Sequence, residues 1–156
     1  MSQLTDIREQ IKVILSGVPD IGMVHDYTRL AVDYTTVLNF FKTPDGQFKG
    51  VMFAREKMAK ERGSSWARAH VFVFRAIMAL NDGKQSGIQF DGMLDAIERE
   101  FEKYDDLNGT CSTCMPDFGP MAGHAGMQIT IIEERMFGNV LCHYAEMRLC
   151  AEEYQS

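Results

Sequence analysis

The residues with the clearest capacity for chemistry lie in one run, CSTCMPDFGPMAGHAGM, from Cys111 to Met127. Two thiols spaced Cys-x-x-Cys can reach a single zinc ion, and His124 would supply a third ligand of a suitable type. A tetrahedral structural site needs a fourth, which Cys142, His143 or Cys150 would have to provide. Cys142 and His143 are adjacent, so a strand holding both sends them to opposite faces. No second Cys-x-x-Cys and no closely spaced His pair occurs. The same thiols would suit redox exchange if they opened a helix beside a βαβ unit, where the thiol pKa falls. Cys111 instead follows a helical segment and enters a Gly/Pro-rich loop. The expectation is reduced thiols with no resident cofactor; the alternative is a small zinc module using Cys111, Cys114 and His124.

Other catalytic arrangements are not suggested. No GxSxG, GxxxxGK[ST] or GxGxxG occurs in the sequence. His70 and His143 fall inside strand patterns and suit packing more than ligation. Glu133 and Glu134 are neighbours on a strand pattern and point to opposite sides, so they cannot act as a pair on one substrate. The expectation is a protein that is not an enzyme, with no catalytic residues.

Charge gives a second kind of candidate. AREKMAKERGSSWARAH concentrates Arg55, Lys57, Lys60, Arg62 and Arg68, five of the 16 Lys and Arg residues, around one turn. A solvated hairpin tip accounts for this simply, and contact with an acidic partner or DNA phosphates is the functional reading. Only Phe53 and Trp66 are interleaved, which gives little support to base stacking. The net charge of −6 argues against a general nucleic-acid binder. Residues 1–78 carry 11 Lys/Arg and 8 Asp/Glu, a net of +3, whereas residues 79–156 carry 5 and 14, a net of −9. Halves of opposite charge can pair head to tail between copies, provided the fold keeps them apart.

These residues need elements to hold them. Leu4, Ile7, Ile11, Ile14 and Leu15 predict a helix over 3–16, stopped by Gly17 and Pro19. IGMVHDYTRLAV is mixed and reads as extended or irregular, and Asp33 is placed to cap a short helix through Phe41. FKGVMFAREKM and WARAHVFVFRAIMAL predict strands joined by the polar turn KERGSS. Phe90, Met93, Leu94, Ile97, Phe101 and Tyr104 predict a helix over 87–104, with Ser86 and Gln89 resembling a capping box. Residues 105–126 form a long loop. MQITIIEERMF, alternating through Met127, Ile129 and Ile131, predicts another strand, and Gly138-Asn139 marks a turn. VLCHYAEMRLCAEE predicts a final half-buried strand. The expected fold is α+β, with a four-stranded antiparallel sheet of two hairpins and helices packed on one face.

The chain's 156 residues suit a single domain spanning 1–156. With 46% hydrophobic and 24% charged residues the body should fold rather than stay disordered. The acidic residues near the N-terminus do not suit a secretory leader, and no apolar run reaches membrane-span length. A cytosolic site of synthesis, with reduced cysteines, is therefore expected. Most of the 11 methionines sit at core positions.

Several segments together resemble the tail terminator and neck proteins of tailed bacteriophages, of the Mu-like siphophage type. These are VHDYTR after the first helix, WARAHVFVFRAIMALND followed by SGIQFDGMLDAIEREF, and VLCHYAEMRLCAEE as a last strand, spanning roughly 4–153. The resemblance implies a structural virion protein at the tail–neck junction, assembled in the host cytoplasm. It implies a homohexameric ring that caps the tail tube, ends its polymerisation and joins a neck or connector protein. DNA would pass through the lumen without sequence-specific binding, and no membrane is involved. A head–tail connector or stopper ring is the alternative within this class.

Overall fold

The computed structural model describes residues 3–29, 34–137 and 140–155. In chain order the elements are α1 (Gln3–Ser16), β1 (Met23–His25), α2 (Tyr34–Phe41), β2 (Lys49–Arg62) and β3 (Trp66–Ala79). A 3-10 turn (Asp82–Lys84), α3 (Ser86–Glu102), β4 (Gln128–Phe137) and β5 (Val140–Gln155) follow. The strands form one sheet in the order β1-β2-β3-β5-β4. Its pairings are antiparallel except that β1 runs parallel to β2.

The class is α+β, but the sheet is mixed and has five strands, not four antiparallel ones. The added strand, β1, is three residues long, too short to show an alternation in sequence. Two glycines let it dock. A Cβ on Gly50 would lie 2.3 Å from the Met23 carbonyl oxygen and 2.7 Å from Phe41 Cδ1, and one on Gly22 would lie 2.4 Å from the Lys49 carbonyl oxygen. Gly22 also has φ +82, a left-handed conformation that costs glycine little.

One sheet face carries Val51, Phe53, Phe72, Phe74, Met147 and Leu149 beneath Ile7, Ile11 and Leu15 of α1 and Phe90, Leu94, Ile97 and Phe101 of α3. Phe74 sits at its centre, stacked on Phe53 at 5.4 Å and edge-on to Phe101 at 5.7 Å. Each such side chain contributes about 1.5–3 kcal/mol by leaving water. The expectation of helices on one face fails for α2. Its Val37 and Phe41, one turn apart, bury against Met52, Ile77 and Tyr144 on the opposite face. The sheet therefore has a helix side, under α1 and α3, and a second side partly covered by α2.

β5 is buried on both faces over most of its length, not half-buried as its alternation suggests. It lies between β3 and β4, with α3 on one side and α2 and a loop on the other. The expected capping box does not form. Gln85 occupies the N-cap in a left-handed conformation, with no side-chain cap. Ser86 Oγ accepts from the Asn81 N–H at 2.7 Å, and Gln89 Nε2 donates to the Lys84 carbonyl at 2.9 Å. The Asp33 cap and the Gly138-Asn139 turn lie outside the described residues.

The loop at 105–126 packs closely around the sheet. Leu107, Cys111 and Cys114 enter the helix-side core. Ser112 N–H then donates to the Glu152 carbonyl at 2.8 Å, and Glu152 N–H donates to that of Thr113 at 2.9 Å. This occupies the β5 edge beyond Arg148, where pairing with β4 begins. Phe118 and Met121 then cover Ala69, Val71 and Cys150 on the second side. A Cβ on Gly119 would stand 3.1 Å from that of Ala59, so glycine permits this close crossing.

Candidate functional site

The loop brings Cys111 and Cys114 together, and both thiols are buried and free. The hydrogen bond shared with Cys111, then burial, pushes the Cys114 thiol far above its usual range. Burial raises Cys150 to about 12 and Cys142 to about 11. A thiol held neutral is a poor nucleophile and must lose a costly proton to bind zinc. His124 is exposed on the loop, its N–H donating to the Met121 carbonyl at 3.0 Å. Among the described residues no three His, Cys, Asp or Glu side chains are grouped as a metal ion would need.

Two histidines are buried in strands. His70 Nε2 lies 3.1 Å from Glu153 Oε1, and its Nδ1 lies 3.3 Å from an Arg55 guanidinium nitrogen. Burial lowers the His70 pKa, against the opposing pull of Glu153. His143 stacks on Phe90 at 5.3 Å, with its Nε2 2.7 Å from Ser86 Oγ. This Ser–His pair is 4% and 8% exposed. It ties the first turn of α3 to β5.

The β2–β3 register distributes the five basic residues of the hairpin. Arg55 and Lys57 flank a bulge, because Arg55 pairs with Phe72 and Lys57 with Val71. Arg55, Lys60, Arg62 and Arg68 therefore line the helix side of the sheet, and Lys57 faces the other. Lys60 and Arg62 sit over the Trp66 ring at 4.6 and 5.3 Å. Arg55 turns inward to His70, so the tip is partly a structural cluster rather than five free cations.

The second side of the sheet holds a belt that sequence reading missed. Arg148 lies opposite Val73 and spans it to reach Glu56 at the bulge, through bonds of 3.0 and 2.8 Å. It also donates to Thr130 Oγ1 at 2.7 Å and to Glu146 Oε1 at 3.1 Å. One guanidinium thereby links β2, β5 and β4 across β3. Arg135 pairs with Glu133 and lies over the Tyr144 ring at 3.9 Å. Tyr144 donates to Glu146 Oε2 at 2.7 Å. The Arg148 bond holds Glu56 below its usual pKa. Burial alone would raise Glu146, but hydrogen bonds from Tyr144 and Arg148 outweigh it and lower its pKa. Only the alternation of charge with apolar residues on β5 hinted at this belt.

The outer strand β4 is the other feature missed. A bulge between Ile129 and Ile131 breaks the expected alternation, so Ile129 and Ile132 share the helix side and Ile131 faces away. Ile132 is 55% and Met136 56% exposed. Next to them is a groove of about 330 Å³ lined by Ile88, Asp91, Ile132, Glu133, Glu134 and His143. Exposed apolar side chains on an edge strand usually mark a docking surface or an aggregation hazard. Among the described residues no helix is long and apolar enough to cross a membrane. No protein-family model and no curated protein matches the chain.

Proposed function

We propose that this chain is a structural virion protein of the tail-terminator kind, forming a closed ring that caps a tail tube and joins it to the neck. The observation that carries the reading is how charge is distributed over the strands. β2 and β3 carry a net of +5 and lie on one side of the sheet, and β5 and β4 carry a net of −3 and lie on the other. Opposite charge on the two flanks of one sheet favours head-to-tail association, and a rotation that closes gives a ring. The resemblance of VHDYTR, WARAHVFVFRAIMALND and the β5 segment to tail terminators supplies the biological setting and the hexameric copy number.

The middle of the sheet's second side suits the lumen. There Arg75, Arg135 and Arg148 are matched by Glu56, Glu133 and Glu146, which leaves Lys57 at its margin and limits the positive charge that would retain DNA phosphates. The buried thiols fit a protein whose work is assembly. A connector or stopper ring differs only in its partner.

The test is light scattering of the full chain alone and with purified tail tube protein. The terminator reading expects a closed ring, present alone or formed on adding tube protein, and a stable complex with the tube. A chain that stays monomeric in both conditions overturns the reading. A ring that ignores the tube and captures a portal-side neck protein replaces the terminator with the stopper.

A further inference from the structure

The two outer edges of the sheet are complementary to each other. β1 covers only Gly50 to Met52 of β2, so among the described residues the outer edge of β2 is open beyond its bulge, over 57–62. At the far side of the sheet, β4 is open over 131–137, beyond its own bulge. Each open run is six or seven residues, about 20 Å of straight edge.

Their chemistry matches as well as their length. The β2 run carries Lys57, Lys60, Glu61 and Arg62, a net of +2, and the β4 run carries Glu133, Glu134 and Arg135, a net of −1. Asp91 adds negative charge beside β4. Each run also exposes apolar side chains on the helix side: Met58 on β2, Ile132 and Met136 on β4.

Strand sense favours the same pairing. β2 and β5 run one way, β3 and β4 the other. A second copy set beside the first without inversion brings its β2 antiparallel to β4, and the helix sides of the two sheets stay on one side. Pairing an edge with its own kind is worse. Two β2 runs would bring together edges of net +2 each and two β4 runs edges of net −1 each, and like net charge across an interface disfavours association.

We propose that the outer edge of β4 accepts the outer edge of β2 from a second copy of this chain by antiparallel strand addition. In the register that sets Lys60 opposite Glu134, Met58 of one copy packs against Met136 of the next, and Arg62 lies over Ile132 within reach of Glu134. Backbone hydrogen bonds supply affinity, and the side chains set direction and register. One such junction buries less than a standard interface, so ring closure stabilises the assembly by making each copy hold two neighbours. This inference rests on the ring reading for closure, while the junction itself is tested separately.

The experiment measures solution mass for the full chain, for Ile132→Lys, which blocks the β4 edge, and for Met58→Glu, which blocks the β2 edge. Both positions are exposed, and thermal melts check that folding is kept. Glu134→Lys and Lys60→Glu serve as a second pair should either variant melt abnormally. Each blocked variant alone should be monomeric. Their equimolar mixture retains one intact edge of each kind but cannot close, so its mass should not exceed twice that of the monomer, and a ring formed by the mixture overturns the junction. If the wild-type chain forms a ring and the blocked variants form it equally well, this junction is wrong and the ring reading stands. If the wild-type chain is monomeric with and without tube protein, both fail together.

Discussion

At the scale of single residues, spacing and environment point in different directions for the same side chains. Cys111 and Cys114 have the spacing of a metal or redox pair, and the fold does bring them together. Yet it does so inside the helix-side core, among Leu107 and Met127, where a thiolate is costly. The expected outcome with a thiol-specific reagent at neutral pH is negligible reaction of the four cysteines in the native protein and full reaction after unfolding. Rapid modification of two native thiols would restore Cys111 and Cys114 as a reactive pair, and zinc bound near one equivalent and lost in Cys114→Ser would restore the metal reading. Arg148 shows the converse. Nothing in its sequence neighbourhood marks it, yet it contacts Glu56, 92 positions away in the chain.

At the scale of elements, the sheet depends on a few positions where backbones approach closely. Gly50 is the sharpest case, since a Cβ there would strike the β1 backbone and the Phe41 ring. Gly50→Ala should lower unfolding stability by about 1–3 kcal/mol, the usual cost of overpacking, as measured by urea denaturation. At Gly63, in the turn between β2 and β3, an added Cβ would meet nothing within 4 Å. Gly63→Ala should therefore change stability by less than about 0.5 kcal/mol, as surface substitutions usually do. Equal losses at both sites would show that β1 is not held in the register described. The bulges at Glu56 and Thr130 act at the same scale: each redirects side chains and shortens the straight edge open to a neighbour.

At the scale of the whole molecule, the controlling feature is charge separation across the sheet. If a junction brings Lys60 and Arg62 against Glu134, its strength should depend on ionic strength. Exposed charges lose reach as the screening length shortens from about 10 Å at 0.1 M salt to about 3 Å at 1 M. The average mass in light scattering should fall between those conditions at a fixed protein concentration. A mass that does not change with salt would place the stability of the assembly in Ile132, Met136 and Met58 instead. The head-to-tail geometry would then lose its electrostatic basis.

The amino-acid order alone encodes the pieces that repeat locally. The helix carrying Ile7, Ile11 and Ile14 and the helix from Phe90 to Phe101 were legible because their side chains repeat at 3.6 residues, and the four long strands from runs rich in aromatic and β-branched residues or alternating over part of their length. The α+β class followed from their order. The short helix ending at Phe41 was also read from the sequence, and the rest waited on the packed fold. β1 is too short to carry a period and is held by glycines whose need emerges only when another backbone lies against them. The side chosen by α2 depends on which face α1 and α3 leave open. The phase of β4 shifts at Thr130 because a bulge is a property of a strand pair, not of one strand. The site features separate in the same way. The basic run and the Cys-x-x-Cys motif are visible as spacing, whereas the burial of the thiols, the Arg148 belt and the two matching edges arise from residues far apart in the chain. Composition sets how much charge each strand carries, and strand order sets the basic β2 and β3 and the acidic β5 and β4 on opposite flanks.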